Sequence, residues 1–512
     1  STTTDAQGKA RASLKGTAAG AATVKASAVA GASTASVDLQ PDGATAKVID
    51  LEATPATIKA NGTDASQLVA TVEDASGNPV AGATVNWTTT TGQLSASSTT
   101  TDAQGKARAS LKGTAAGAAT VKASAVAGAS TASVDLQPDG ATAKVIDLEA
   151  TPATIKANGT DASQLVATVE DASGNPVAGA TVNWTTTTGQ LSASSTTTDA
   201  QGKARVTFSG TDTGSADITA AAIAGSSTAV VDLVADGTTA KVLGVGATPY
   251  SIKADGVQTS TLVAMVVDAN DNPVPGARVT WSKSIGQLSA ASSTTDAQGK
   301  ASVTLKGVVA GTSAIKATAV SGFAETAVDL TPDASTSTVT GLTASPTLIT
   351  ANDTATSTLS ATVRDANGNL LPAGQTVTFT TTSGTLSAST ATTNASGVAS
   401  ITLKGTTAGT ATVTAKAATA ATKTATVALV ADASTAAVTG LTTSPTSITA
   451  NGTATSTLSA TVRDANGNPL PVGQTVTFTT TSGTLSASTA TTNASGVASV
   501  TLKGTAAGTA TV

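Results

Sequence analysis

Residues 71–95 read TVEDASGNPVAGATVNWTTTTGQLS. Apolar and polar residues alternate on either side of a break at SGNP, residues 76–79. Working outward, Leu68, Ala70 and Val72 point one way while Val69, Thr71 and Glu73 point the other. Ala83, Val85 and Trp87 alternate in the same way with Thr84, Asn86 and Thr88. A period of two is the strand period, because successive side chains leave opposite faces of a sheet. The pattern continues through Ala107, Ala109 and Leu111, then Ala119, Val121 and Ala123, then Ala132, Val134 and Leu136. The breaks carry turn chemistry. SGNP is read as supplying Gly and Asn for positive φ and a Pro that stops a central strand, and DAQG at residues 102–105 places Asp first and Gly last, as a type I turn prefers. No helical period is sustained, and Ala interleaved with Thr, Val and Gly follows the strand pattern against its own helix propensity.

The stretch recurs. Pro55, Pro152, Pro249, Pro346 and Pro445 are spaced 97, 97, 97 and 99 residues apart, and Trp87, Trp184, Trp281, Phe379 and Phe478 are spaced 97, 97, 98 and 99. The longer intervals mark two one-residue insertions, one between Asp365 and Phe379 and the other placed near Ala428. Residues 1–108 are identical to residues 98–205, and residues 340–413 differ from 439–512 at seven positions. A period of about 100 residues holding seven or so short strands predicts tandem immunoglobulin-like β-sandwiches. The expected boundaries are a partial repeat at 1–43, repeats at 44–140, 141–237, 238–334 and 335–433, and an incomplete repeat at 434–512. The short junction LQPDGATAKVIDL at residues 136–148 predicts closely coupled neighbours, hence an elongated rod.

Composition narrows the chemistry. The 512 residues contain no His and no Cys, which removes Ser-His-Asp triads, Cys nucleophiles, Cys/His zinc or haem ligation and disulfides. Phosphate-binding Gly-Lys-Ser/Thr loops and GxSxG elbows are absent as well, and no pair of carboxylates departs from the repeat, so neither an enzyme nor a cofactor is expected. The net charge of −5 comes from 32 acidic and 27 basic residues scattered without runs, which gives no footprint for nucleic acid. No apolar stretch is long enough to cross a membrane, and any signal peptide or anchor is expected to lie outside this sequence.

Individual residues follow the same logic. Trp87 shares its face with Val85 and Ala83, so Trp87, Trp184, Trp281, Phe379 and Phe478 are read as core aromatics in preference to sugar-stacking platforms. DANDNPVPG at residues 268–276 looks like an acidic calcium linker, with Asp268 and Asp271 as weak candidate ligands. That segment aligns with DASGNPVAG, read as a turn inside the domain, whereas a calcium joint would need ligands near Asp236 to Lys241. Asn61, Asn158 and Asn451 begin glycosylation sequons of the kind a Thr-rich chain produces by accident. Thr rows serve as water-facing strand formers, since a twisted sheet is a poor template for ice.

The string Asp74, Gly77, Asn78, Pro79, Gly82, Val85, Trp87, Gly92, Leu94, Asp102, Gly105, Leu111, Gly117 and Val121 resembles the group 1 bacterial Ig-like domain of the intimin and invasin adhesins. The resemblance covers essentially the whole sequence in tandem. It implies the stalk of an inverse autotransporter, extracellular and anchored in the outer membrane by a β-barrel. Such a stalk carries a tip that binds a receptor on a host cell or neighbouring bacterium and supports attachment or biofilm formation. Barrel and tip are not recognisable here, so no receptor-binding residue is carried over. Two other readings stay open: a multivalent array whose repeats bind carbohydrate or protein, and Ig-like decoration of a phage or surface-layer particle.

Overall fold

The computed structural model describes residues 1–512 and is built almost wholly of β-strands. The Trp87 repeat contains nine: β1 (Lys47–Thr54), β2 (Thr57–Lys59), β3 (Ser66–Glu73), β4 (Thr84–Thr89), β5 (Gln93–Leu94), β6 (Ser98–Thr100), β7 (Lys106–Lys112), β8 (Gly117–Ser124) and β9 (Ala129–Gln137). They form a four-stranded sheet, order β1-β3-β7-β5, and a five-stranded sheet, order β2-β9-β8-β4-β6. All pairings are antiparallel except β2 with β9, where Thr57, Ile58 and Lys59 run parallel to Asp135, Leu136 and Gln137. The count exceeds seven because the first strand divides at Pro55 and the two-residue β5 adds one more. β1 pairs with β3 in one sheet and β2 crosses to the other. Trp87 therefore lies on the fourth strand. The repeats holding Trp184, Trp281 and Phe379 have the same two sheets, and the Phe478 repeat has the four-stranded sheet with a two-stranded partner.

Alternation is what fills the space between the sheets. On β3, Leu68, Ala70 and Val72 are fully buried beside Ala107 and Leu111 of β7 in the same sheet, and they face Val85 and Trp87 of β4, Val121 of β8 and Val134 of β9 across the core. The interior is mostly Ala, Val and Leu, so close approach of the backbone matters as much as side-chain volume. Gly105 shows this. It sits at φ +70°, and a Cβ there would lie 2.6 Å from the carbonyl oxygen of Val72 and 3.2 Å from Pro79. Gly105→Ala is expected to cost on the order of 2–3 kcal/mol, from a left-handed backbone conformation and a backbone clash together. Thermal unfolding of the substituted repeat measures it, with Gly82→Ala as the comparison, since Gly82 has φ +74° and open space around it.

The hairpins place the second insertion. In the Trp281 repeat Thr318 pairs with Phe323, leaving four residues in the loop, whereas in the Phe379 repeat Lys416 pairs with Thr422, leaving five. The extra residue is thus at the hairpin tip, residues 417–421, and not at Ala428, which pairs normally with Thr410. A loop tip absorbs a residue without disturbing register, while an insertion within a strand would turn the following side chains to the wrong face.

The chain divides into two compact units, Ser1–Gly237 with Asp268–Asn272, and Thr238–Val267 with Pro273–Val512.

Candidate functional site: the joint between repeats

The residues that open the sequence analysis build the most elaborate polar site of the chain. In the turn at 74–79, Asp74 Oδ1 accepts from the backbone N–H of Ser76 at 2.8 Å and of Asn78 at 2.9 Å. Gly77 takes the positive φ of 81° alone. Asn78 is not in the left-handed region, contrary to its reading as a second positive-φ residue. Its side chain leaves the turn: Nδ2 donates to the carbonyl of Thr17 at 2.7 Å, and Oδ1 accepts from the N–H of Ala19 at 2.6 Å. Both belong to the copy that precedes the Trp87 repeat. Asp74 Oδ2 accepts from Asn78 Nδ2 at 2.9 Å and from the linker N–H of Asp42 at 3.1 Å.

The same clasp recurs within each unit. Asn175 of the Trp184 repeat donates to Thr114 O at 2.8 Å and accepts from Ala116 N at 2.7 Å in the Trp87 repeat, while Asp171 Oδ2 accepts from the N–H of Asp139 at 2.9 Å. In the second unit, Asn369 bonds Val308 O at 2.9 Å and Ala310 N at 2.8 Å, and Asn468 bonds Thr406 O and Ala408 N, both at 2.8 Å. Asp365 and Asp464 accept from the linker N–H groups of Asp333 and Asp432. The turn taken as lying inside the domain therefore forms the joint. Its position was misjudged because the partners of Asn175 lie 59 and 61 residues away, beyond the reach of any local reading. The available signal was the recurrence of Asn as the fifth turn residue at 78, 175, 272, 369 and 468, where no turn type requires it.

The linker is ordered as well. A short 3₁₀ turn, Gly140–Thr142, is capped by Asp139, whose side chain accepts from the N–H of Ala141. Lys59 Nζ reaches Asp139 Oδ1 at 2.9 Å, and the pairing holds Asp139 below the ordinary carboxylate range. Lys253 and Asp333 repeat that pair at 2.9 Å.

Charge inside the joint is stabilised by donated hydrogen bonds. The amide of Asn78 is the largest influence on Asp74, followed by its backbone N–H, and the carboxyl is lowered from 3.8 to about 2. Burial works against the charge of Asp171, but the side chain and backbone of Asn175 and the N–H of Asp139 outweigh it, so its value too is lowered. A depressed folded value means that the contribution is complete above the unfolded value, near 4, and is lost as pH falls through the folded one. The melting temperature is accordingly expected to hold steady from pH 7 to about pH 4.5 and to fall between about pH 4 and pH 2, as measured by calorimetry across that range.

The proposed calcium ligands occupy the same turn. Asp268 is fully buried; its Oδ1 accepts from the N–H groups of Asn270 and Asn272, each at 2.9 Å, and its Oδ2 accepts from Asn272 Nδ2 and Asp236 N, each at 3.0 Å. Asp271 stands at φ 66° where other copies have Gly. Both oxygens of Asp268 face N–H donors, an arrangement that suits a structural carboxylate. Groups of three or more carboxylates do not converge anywhere in the chain.

The core aromatics are placed away from the joint. Trp87, Trp184 and Trp281 are 3–4% exposed, and Phe379 and Phe478 are 1% and 5% exposed. The indole N–H of Trp87 donates to Thr99 Oγ1 at 2.9 Å, that of Trp184 to Thr196 at 2.8 Å and that of Trp281 to Ser293 at 2.9 Å. Where Phe replaces Trp, the aligned residues are Ala391 and Ala490. Donor and acceptor change together, a coupling visible in the sequence but meaningful only once β4 and β6 are seen to pair.

Paired sheets of small alternating residues, linked by a turn that reaches back into the preceding copy and by no disulfide, define a tandem array of immunoglobulin-like sandwiches. The bacterial Ig-like domain (group 1) model matches residues 48–137, 145–235, 242–332, 339–430 and 438–512, and the chain belongs to that family. It is 36% identical over 286 residues to the inverse autotransporter adhesin YeeJ of Escherichia coli (strain K12), which covers 52% of this chain and 12% of that protein. It is 36% identical over 180 residues to intimin of Escherichia coli O127:H6 (strain E2348/69 / EPEC), covering 34% of this chain and 19% of that protein. The matched segments thus span less than a fifth of either relative. The crystal structure of invasin, described as a bacterial integrin-binding protein, is 22% identical, covers 77% of this chain and 82% of that chain, and has a TM-score of 0.39. The protein is an adhesin-like array of group 1 Ig-like domains.

Proposed function

We propose that this array is a structural spacer of a bacterial surface adhesin, holding a distal receptor-binding tip away from the outer membrane. The observation that supports the reading is the joint. Successive copies within each unit are tied by two side-chain bonds from one Asn and one from an Asp to the linker, so that the connection is specified residue by residue. A spacer needs this and little else. Its repeats must resist reorientation, and each must fold without a metal or a disulfide. Kinship with intimin and the inverse autotransporter adhesin supplies the context of surface attachment.

Strands of ~8 residues at ~3.3 Å with their loops give sandwiches about 38 Å long, so some five repeats placed end to end extend ~200 Å. Small-angle scattering of the chain is expected to show a maximum dimension near that value and a radius of gyration of about 58 Å, against about 24 Å for a compact body of this length. A radius close to the compact figure would overturn the spacer role.

A further inference from the structure

The clasp differs between copies in its turn residues. Ser76 and Ser173 each donate a backbone N–H to the turn aspartate. Asn270, which precedes Asp271, stands at the same position and donates its Nδ2 to Ala157 O at 2.9 Å. In the second unit Asn367 and Asn466 stand at the same place. Their backbone N–H groups make the same bond, and their side chains make one more. Asn367 Nδ2 donates to Ala254 O at 2.8 Å, and Asn466 Nδ2 donates to Ala351 O at 2.9 Å, each carbonyl belonging to the preceding repeat. Both Asn are followed by Gly, at 368 and 467, and both are exposed to water at the rim of the joint.

An Asn followed by Gly is a chemically labile pair, because the unhindered glycine nitrogen can attack the side-chain amide. We propose that Asn367 and Asn466 are modification sites at which deamidation releases the second clasp of the joint irreversibly. In the reaction, the Gly368 nitrogen forms a bond to Cγ of Asn367 and gives up its proton, the Cγ–Nδ2 bond breaks, and ammonia leaves. Water then opens the resulting succinimide to aspartate or isoaspartate. The product has a carboxylate where an N–H₂ donor faced a carbonyl, so an attraction becomes a repulsion between two oxygens.

The closed joint restrains this reaction. The Gly368 N–H donates to Asp365 O at 3.1 Å, which ties back the attacking nitrogen, and Ala254 fixes the amide that it must reach. Gly467 is tied to Asp464 O at 3.0 Å in the same way. Opening of the joint frees the amide, so conversion records how often and for how long a joint has opened. The Ser-Gly copies at 76–77 and 173–174 cannot undergo it.

The test uses the full chain. Incubated at 37 °C and mildly alkaline pH, it is followed by site-resolved mass spectrometry in the native form and as Lys253→Met. That substitution removes the ion pair between the partly exposed Lys253 and the buried Asp333 at the same joint and leaves the turn untouched. Conversion at Asn367 is expected to accelerate about two- to fivefold, the size of a weak ion pair, with Asn466 unchanged. In a second arm, Asn367→Asp mimics the product, and hydrogen exchange at the Ala310 N–H, which donates to Asn369 across the joint, is expected to quicken about tenfold. Equal rates at Asn367 in both chains, or unaltered exchange at Ala310 in the Asp variant, would overturn the proposal.

Discussion

Trp184→Ala is expected to destabilise its own repeat by about 3–5 kcal/mol, the range for emptying a large aromatic site in a packed core. The effect is large because the surrounding residues cannot collapse into the space. Around Trp184 the core offers Val182, Ala204, Ala216, Ile218 and Ala220, all held on strands whose spacing is set by sheet hydrogen bonds. The loss also strands the Thr196 hydroxyl, which received the indole N–H. Calorimetry of the intact chain would show one repeat's transition moving to lower temperature while the others stay in place. The companion double substitution discriminates packing from polarity. Thr196→Ala alone leaves a buried indole N–H without its acceptor and is expected to cost about 1–3 kcal/mol. Trp184→Phe with Thr196→Ala recreates the natural pairing of Phe379 with Ala391, so the two changes should cost less together than their sum. Strict additivity would contradict the account of the indole bond.

Asn175→Ala is expected to weaken the joint between the Trp87 and Trp184 repeats by about 2–4 kcal/mol while leaving both cores folded. Its side chain is largely buried, bonds the backbone of the preceding repeat through Oδ1 and Nδ2, and donates from Nδ2 to Asp171 as well. Truncation leaves Thr114 O and Ala116 N without partners and removes a donor from Asp171, and unmade bonds of partly buried groups cost more than the bonds themselves contribute. Hydrogen exchange at the Ala116 N–H should rise by two orders of magnitude, in line with the midpoint of that range. Exchange in the β-strand core of either repeat should not change. Unchanged protection at Ala116 would show that the joint does not depend on the clasp.

Much of this architecture was readable beforehand because its causes are local. The face of each strand follows from alternation at Leu68, Ala70 and Val72 or Ala107, Ala109 and Leu111, and burial obeys that alternation residue by residue. The turn at 102–105 forms as its residues dictate, with Asp102 Oδ1 accepting from Gln104 and Lys106. What resisted reading was contact at a distance. DASGNP announces a turn, yet nothing in six residues reveals that the Asn side chain reaches past the turn and that a neighbouring repeat presents a matching carbonyl and N–H. Thr99 looked like one more strand threonine until β6 was placed beside β4.

Two identical segments separate these influences directly. Residues 20–39 and 117–136 have the same sequence. Both fold as a hairpin in the same register, Val24 opposite Ala35 and Val121 opposite Ala132. Val121 and Val134 of the second segment are both fully buried. Strand, turn and register are properties of residues close in sequence, so the sequence alone determined them. Burial requires a second sheet to exclude water from the apolar face. The hairpin at 117–136 has that partner in the facing four-stranded sheet, so its burial was decided by tertiary structure.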